Sequence, residues 1–246
     1  RDVHSGHAPL ISNAVWDLVR LLNSMKNEFD EITIEGYTSN VNKPSDEEIE
    51  LLKSIPFDKE HFRKEYGIKE ILGKDQDEIE ILKRLLYTPT CNISGIKGGW
   101  AGERGKTIVP CEAWVRLDMR LVKNMTLDEA KEKIAKFIEK SPYGEFELKM
   151  HGNNEPYQIS PQHELVKLAI DVTKDIYGSD PVVWPLLDGS GPMCLFPKFL
   201  GGENFIIGLG APFSTANTHA PDENISIDQY LTGIKCMANI YHQYLK

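Results

Sequence analysis

Cysteine is scarce and scattered. The four in the chain, Cys91, Cys111, Cys194 and Cys236, form no CxxC pair, which excludes a zinc ribbon and a thioredoxin-type redox motif. A disulfide framework is not expected where apolar core material is this plentiful, so the four read as reduced thiols of a cytoplasmic protein. Long apolar runs are lacking too: none could span a bilayer, and a secretory leader is not expected. An excess of basic charge is also missing. Against 28 Lys and Arg stand 37 Asp and Glu, a formal net charge of −9, which argues against a nucleic-acid or anionic-membrane surface. No P-loop, GxSxG elbow, GxGxxG after a strand or helical HxxxH metal pair occurs, so the commonest nucleotide, esterase and zincin signatures drop out.

What is present suits one large domain or two smaller ones: 246 residues, 41% of them hydrophobic. The first residue is Arg1 rather than Met, and the expectation is a processed, excised or partial chain. Residues 1–5 read as a short strand. Val15, Leu18, Val19 and Leu22 then follow helical spacing behind Ser12 or Asn13 as a cap. Residues 31–35 (EITIE) alternate like a strand. Between 43 and 86 the character changes, with 9 Lys/Arg and 12 Asp/Glu among short apolar groups. That stretch predicts two or three short solvated helices, one opened by a Ser45/Glu48 capping box.

Regular patterning returns at 91–96 (CNISGI), which predicts a strand, followed by the glycine-rich loop 97–107. Residues 112–122 alternate, with Ala113, Val115, Leu117, Met119 and Leu121 on one face and Trp114, Arg116, Asp118 and Arg120 on the other. Thr126 and Glu129 predict a second capping box, and residues 145–151 alternate again. Setting the charged insertion aside, the order is β-α-β-β-α-β, the pattern of a ferredoxin-like sandwich. After a linker at 152–160 the style changes. Ser160-Pro161 predicts a helix start and Gly178 its end. PVVW (181–184) and FIIGLG (205–210) predict strands, the second a buried parallel one, and Ser226/Gln229 cap a last helix. This is α/β patterning with too few strands for a complete sheet.

Three places could carry chemistry. DGSGPM (188–193) sets a serine between glycines, where N–H groups and a hydroxyl could meet an anion. A long loop, GLGAPFSTANTHAPDEN (208–224), follows the apolar strand and holds His219; alone it reads as a loop histidine, although histidine is the commonest metal ligand. Arg120 reads either as half of a cross-strand ion pair, worth roughly 0–1 kcal/mol when exposed, or as a fork for a substrate carboxylate. His61, His151, His163 and His242 lie in polar settings and read as solvated.

Five stretches together, RDVHSG, CNISGIKGGWAGERGKTIVP, WVRLDMRLV, DGSGPM and GLG…NTHAPDEN, resemble the zinc-dependent aminoacylase, carboxypeptidase and carnosinase superfamily, on its carnosinase-like dipeptidase side. The resemblance implies α/β plus α+β architecture. A ferredoxin-like βαββαβ lid and dimerisation domain would occupy 1–155, with a charged, partly helical insertion over 27–90. The C-terminal portion of an α/β catalytic domain would occupy 156–246. It implies that His219 binds one of two zinc ions, and that His4 reaches into the partner subunit's site to stabilise an oxyanion. Thr107 and Arg120 would hold the substrate carboxylate, and Ser190 would contact substrate. Relatives often carry Arg-Glu-Gly-Gly-Ser-Ile-Pro where this chain has Leu186-Leu187-Asp188-Gly189-Ser190-Gly191-Pro192.

The implied activity is zinc-assisted hydrolysis of dipeptides or short peptides with a free carboxylate. Most metal ligands and the general base would lie on a preceding segment, so the chain alone is expected to be an inactive fragment, a homodimer through its lid. The alternatives are a non-catalytic dimerisation module and an N-acyl amino acid deacylase.

Overall fold

The computed structural model describes residues 1–152, 154–189, 191–201, 216–217 and 221–246. In chain order its elements are β1 (Val3–His4), α1 (Ala14–Asn23), α2 (Asp46–Ser54), α3 (Lys59–Glu65), α4 (Glu78–Tyr87), β2 (Asn92–Gly98), β3 (Ile108–Val109), β4 (Ala113–Asp118), α5 (Leu127–Glu139), α6 (Glu164–Tyr177), α7 (Leu195–Leu200) and α8 (Ile227–Tyr244). They fall into two compact units. One comprises Arg1–Lys43 and Tyr87–Pro156, the other Pro44–Leu86 and Tyr157–Lys246. The charged stretch 44–86, expected within the first domain, therefore groups with the later residues.

In the first unit β1 runs antiparallel to β3 and β2 antiparallel to β4. Ile93 faces Leu117 and Ile96 faces Val115, so three steps on β2 match two on β4, a bulge between Ile93 and Gly95. β2 and β4 realise the strands expected at 91–96 and 112–122. Residues 31–35 do not form a strand: Ile32 makes a single bridge to Lys26. The Asn27 side chain accepts the N–H groups of both Phe29 and Glu31 at 2.9 Å, and Asp30 has φ +63°, so an Asx-type turn outcompetes a ladder there. Residues 145–151 form no strand either.

Asn13, one of the two expected caps, opens α1 by accepting the N–H groups of Val15 and Trp16. Thr126 opens α5 by accepting that of Glu129, whose carboxylate accepts Asn40 Nδ2 at 2.9 Å. The apolar side of α5, Ala130 and Ile134, packs with Met25, Ile34, Tyr37 and Met125, and Leu117 and Met119 close the cluster from the strand side. Ile32 and Ile34 thus alternate for burial, not for pairing.

Tyr37 is 1% exposed, and its hydroxyl has no hydrogen-bond partner among the described residues. Burial, with a smaller contribution from nearby Cys91, pushes its pKa up to about 12. The folded state therefore holds the phenol proton more tightly than the unfolded chain. The resulting stability is complete below pH 10 and lost as pH rises from 10 to about 12. Tyr37→Phe is expected to be about 1 kcal/mol more stable at pH 7, since it removes a buried hydroxyl without a partner. Between pH 10 and 12 the advantage should widen by roughly 2–3 kcal/mol. Urea midpoints at the two pH values check both statements.

In the second unit the Ser45/Glu48 capping box forms as expected on α2. The charged stretch is less solvated than its composition implies. Leu52 and Leu82 are fully buried, with Ile55, Ile81 and Leu86 nearly so. Glu48, only 7% exposed, accepts the Ser45 N–H at 2.8 Å and Gln158 Nε2 at 2.7 Å. Gln158 Nε2 also donates to the Pro185 carbonyl at 3.0 Å.

Downstream, α6 packs on α8 through Ala169, Val172 and Ile240. It starts later than expected. Ser160 closes a turn, its carbonyl accepting the His163 N–H at 3.0 Å, and His163 Nδ1 then caps α6 by accepting the Leu165 N–H. Gly178, at φ +72°, ends it. Ser226 and Gln229 cap α8 reciprocally. Residues 181–184 form no strand, and 205–210 lie outside the described residues. Among the described residues no helix is long and apolar enough to cross a membrane.

Candidate active-site residues

Two of the five candidate residues meet on one ladder. β1 lies against β3 with His4 opposite Ile108, and the Ser5 N–H donates to the Thr107 carbonyl at 3.0 Å. His4 and Thr107 are thus brought together by pairing across a hundred residues of chain. The tight turn after His4 orients its ring: Nδ1 accepts the Gly6 N–H at 3.0 Å. In the neutral imidazole that bond puts the proton on Nε2, which becomes the donor. Gly6 leaves room for this geometry: a Cβ there would lie 3.1 Å from His4 Nδ1, so the ring would have to give by a few tenths of an ångström. The His7 ring stands edge-on to His4 with centroids 6.5 Å apart.

Asp2 and the glycine-rich loop brace this ladder; sequence reasoning marked 97–107 as a loop but gave no role to Asp2 or to the loop's Trp100. Asp2 accepts the Cys111 N–H at 3.2 Å and lies 3.9 Å from Lys106 Nζ. The Cys111 hydrogen bond leads in holding its carboxyl below the usual range. Lys106 lies 5.0 Å from the Trp100 ring centroid, and Trp100 Nε1 donates to the Arg104 carbonyl at 2.6 Å. A lone tryptophan in a glycine-rich loop was the available signal, since such a loop needs an internal anchor to hold one shape.

Arg120 belongs to the other ladder, just beyond β4. Its backbone is fixed on both sides by Thr90: the Arg120 N–H donates to Thr90 Oγ1, and the Thr90 N–H to the Arg120 carbonyl, each at 3.0 Å. One ion pair runs to Asp118, two residues back, Nε to Oδ2 3.5 Å. Both side chains are about half exposed, so the pair contributes little to stability. Arg116 stacks on Trp114 at 5.3 Å.

Ser190 and His219 lie outside the described residues. Among the described residues no group of three or more His, Cys, Asp or Glu is placed to hold a metal ion. By themselves, then, they do not fit the two-zinc site that the resemblance implies.

A family model described as a peptidase dimerisation domain matches residues 1–144. The Cys-Gly metallodipeptidase DUG1 of Candida albicans is 23% identical, over 100% of this chain and 51% of its own. The Beta-Ala-His dipeptidase of Homo sapiens is 24% identical, over 98% of this chain and 48% of its own. The crystal structure of an M20 family metallo-carboxypeptidase from Sulfolobus solfataricus superposes with a TM-score of 0.89 at 36% identity, covering 97% of this chain and 54% of that one. The chain thus spans about half the length of the curated relatives it matches. With its paired β1–β3 ladder and the family model running through α5, the chain belongs to the M20 peptidase dimerisation-domain family.

Proposed function

We propose that this chain supplies the lid, over 1–155, and the later part of the catalytic domain, over 156–246, of a metal-dependent peptidase. Its substrates would be dipeptides or short peptides with a free carboxylate. The observation that carries the reading is the β1–β3 ladder, which sets His4 beside Thr107 with Nε2 as a donor. A donor so fixed suits an oxyanion that develops during amide hydrolysis. The guanidinium of Arg120, on a half-exposed side chain, has the fork geometry that suits a substrate carboxylate, and Ser190 is assigned a substrate contact.

The metal would be zinc, with His219 as one ligand and the others on chain that this one does not match; a zinc ion held there would supply Lewis acidity. The assembly would be a homodimer through the lid, in the cytoplasm. The 246-residue chain alone would not hydrolyse peptides.

The test is a joined polypeptide, in which the half of the S. solfataricus enzyme that this chain does not match precedes Arg1. Dipeptide hydrolysis by the joined form, and none by the 246-residue chain, is expected. Turnover of N-acyl amino acids in preference to dipeptides would replace the peptidase reading with a deacylase. A folded, dimeric joined form with no hydrolysis would favour a dimerisation module. Within the joined form, Arg120→Ala should lower kcat/KM for a free-carboxylate dipeptide about 10- to 100-fold, the worth of charged hydrogen bonds. A C-terminally amidated substrate should lose far less, which steady-state kinetics on the two substrates would read out.

A further inference from the structure

The ladder that joins His4 to Thr107 is short. β1 and β3 have two residues each, with Val3 opposite Val109 and His4 opposite Ile108. A slip of one residue would turn the His4 ring to the other face. Thr107 adds a second demand. It is the middle residue of a tight turn, in which the Ile108 N–H donates to the Lys106 carbonyl at 3.1 Å. Its direction therefore depends on how the ends of segment 106–111 are held. Val109, 2% exposed, anchors the middle of that segment by burial.

The Asp2 carboxylate holds both ends. Main-chain bonds alternate along an antiparallel ladder, and beyond Val109 the next N–H turned toward β1 is that of Cys111. Asp2 Oδ1 accepts it at 3.2 Å, and the Cys111 thiol donates to the same carboxylate. The other oxygen, Oδ2, lies 3.9 Å from Lys106 Nζ, next in sequence to Thr107. These two contacts are unequal. A backbone N–H bonded to a charged acceptor is a strong tie, whereas an ion pair at 3.9 Å between partly exposed side chains is a weak one. Register is therefore fixed at the Cys111 end, and the Lys106 contact steadies the turn at Thr107.

The geometry points to Asp2 as a positioning residue for the hydrolysis: it fixes the β1–β3 register and through it sets His4 and Thr107 together before the substrate. The inference rests on the proposed peptidase reading.

In the joined polypeptide, Asp2→Ala should lower kcat for a dipeptide about 10- to 100-fold, since a misplacement near 1 Å can cost about 10²-fold. Asp2→Asn keeps an acceptor for the Cys111 N–H and should lose less than about fivefold. Asp2→Asn as slow as Asp2→Ala would overturn the Cys111 bond as the point of control. A residue that acts through His4 has little left to act on once His4 is gone. In a His4→Ala background, Asp2→Ala should therefore lower kcat by less than about threefold. Losses that multiply in full would place the work of Asp2 elsewhere and overturn the inference.

Amide hydrogen exchange on the 246-residue chain reads the ladder without any catalysis. Asp2→Ala should speed exchange of the Ser5 amide, which donates to the Thr107 carbonyl, by at least about tenfold, while amides of β2 and β4 keep their rates. Unchanged Ser5 exchange overturns the inference. So does faster exchange throughout β2 and β4, which would make Asp2 a residue of general stability. Faster Ser5 exchange with a joined form that hydrolyses nothing sinks the peptidase reading and leaves Asp2 in control of the ladder. Hydrolysis at the parent kcat by Asp2→Ala does the reverse.

Discussion

His4→Ala in the joined polypeptide is expected to lower kcat by roughly 10²–10³-fold with little change in KM, the loss seen when one donor to a developing oxyanion is removed. The size of the effect follows from the local geometry. The Gly6 N–H occupies Nδ1, so the ring cannot flip its tautomer without abandoning that bond, and Nε2 presents its proton before any substrate arrives. A donor that needs no reorganisation is worth more in the transition state than in the ground state, which is why the change should sit in kcat. Two further variants separate this role from a structural one. His4→Gln, which retains a side-chain N–H, should recover part of the rate. Gly6→Ala should slow the reaction while leaving His4 in place, because the added Cβ would meet Nδ1 at 3.1 Å. A His4→Ala enzyme with unaltered kcat would remove His4 from the chemistry.

The largest effect on stability is expected at Glu48. Glu48→Ala should cost about 2–4 kcal/mol, read as a lowered urea midpoint with an unchanged slope. The carboxylate is nearly inaccessible, and it accepts from both the Ser45 N–H and Gln158 Nε2. Removing it leaves a capped helix start without half of its capping box. Gln158 keeps its bond to the Pro185 carbonyl but loses the acceptor that ties residues 157–185 to α2. Glu48→Gln keeps an acceptor oxygen of the same reach and should lose less than half as much. Glu50, exposed and, among the described residues, paired only with Lys53 at 2.6 Å, provides the contrast: Glu50→Ala should change stability by less than about 0.5 kcal/mol.

The contrast between Glu48 and Glu50 shows where sequence was informative. Both lie in one acidic run, and composition assigns them the same solvated face. The capping-box spacing of Ser45 and Glu48 was legible because it is local chemistry, as were Asn13, Ser226 and Gly178. That Glu48 would be buried under Gln158, 110 residues away, depends on a tertiary contact that no local pattern encodes. Alternation had the same limit. At 113–118 it marked a true ladder, while at 32 and 34 it recorded only that two isoleucines face a core. The candidate site divided likewise. His4, Thr107 and Arg120 were legible as parts of extended motifs, but the pairing that joins the first two required β1 and β3 to meet. Asp2 and Trp100 were missed because their work is to hold a loop through single contacts, which leave no periodic trace.

The bulge in the β2–β4 ladder bears on how this lid can vary in length. Ser94 is the residue of β2 with no partner opposite it; Ile93 and Gly95 already face Leu117 and Arg116 in succession. Shortening the chain there would close the ladder into regular pairing and keep Ile93, Ile96 and Gly98 against the same neighbours. Shortening it by one between Gly95 and Gly98 would turn every side chain beyond the gap to the opposite face. Position 94 is therefore the one place along this strand where a gene could lose a codon without rewriting the sheet.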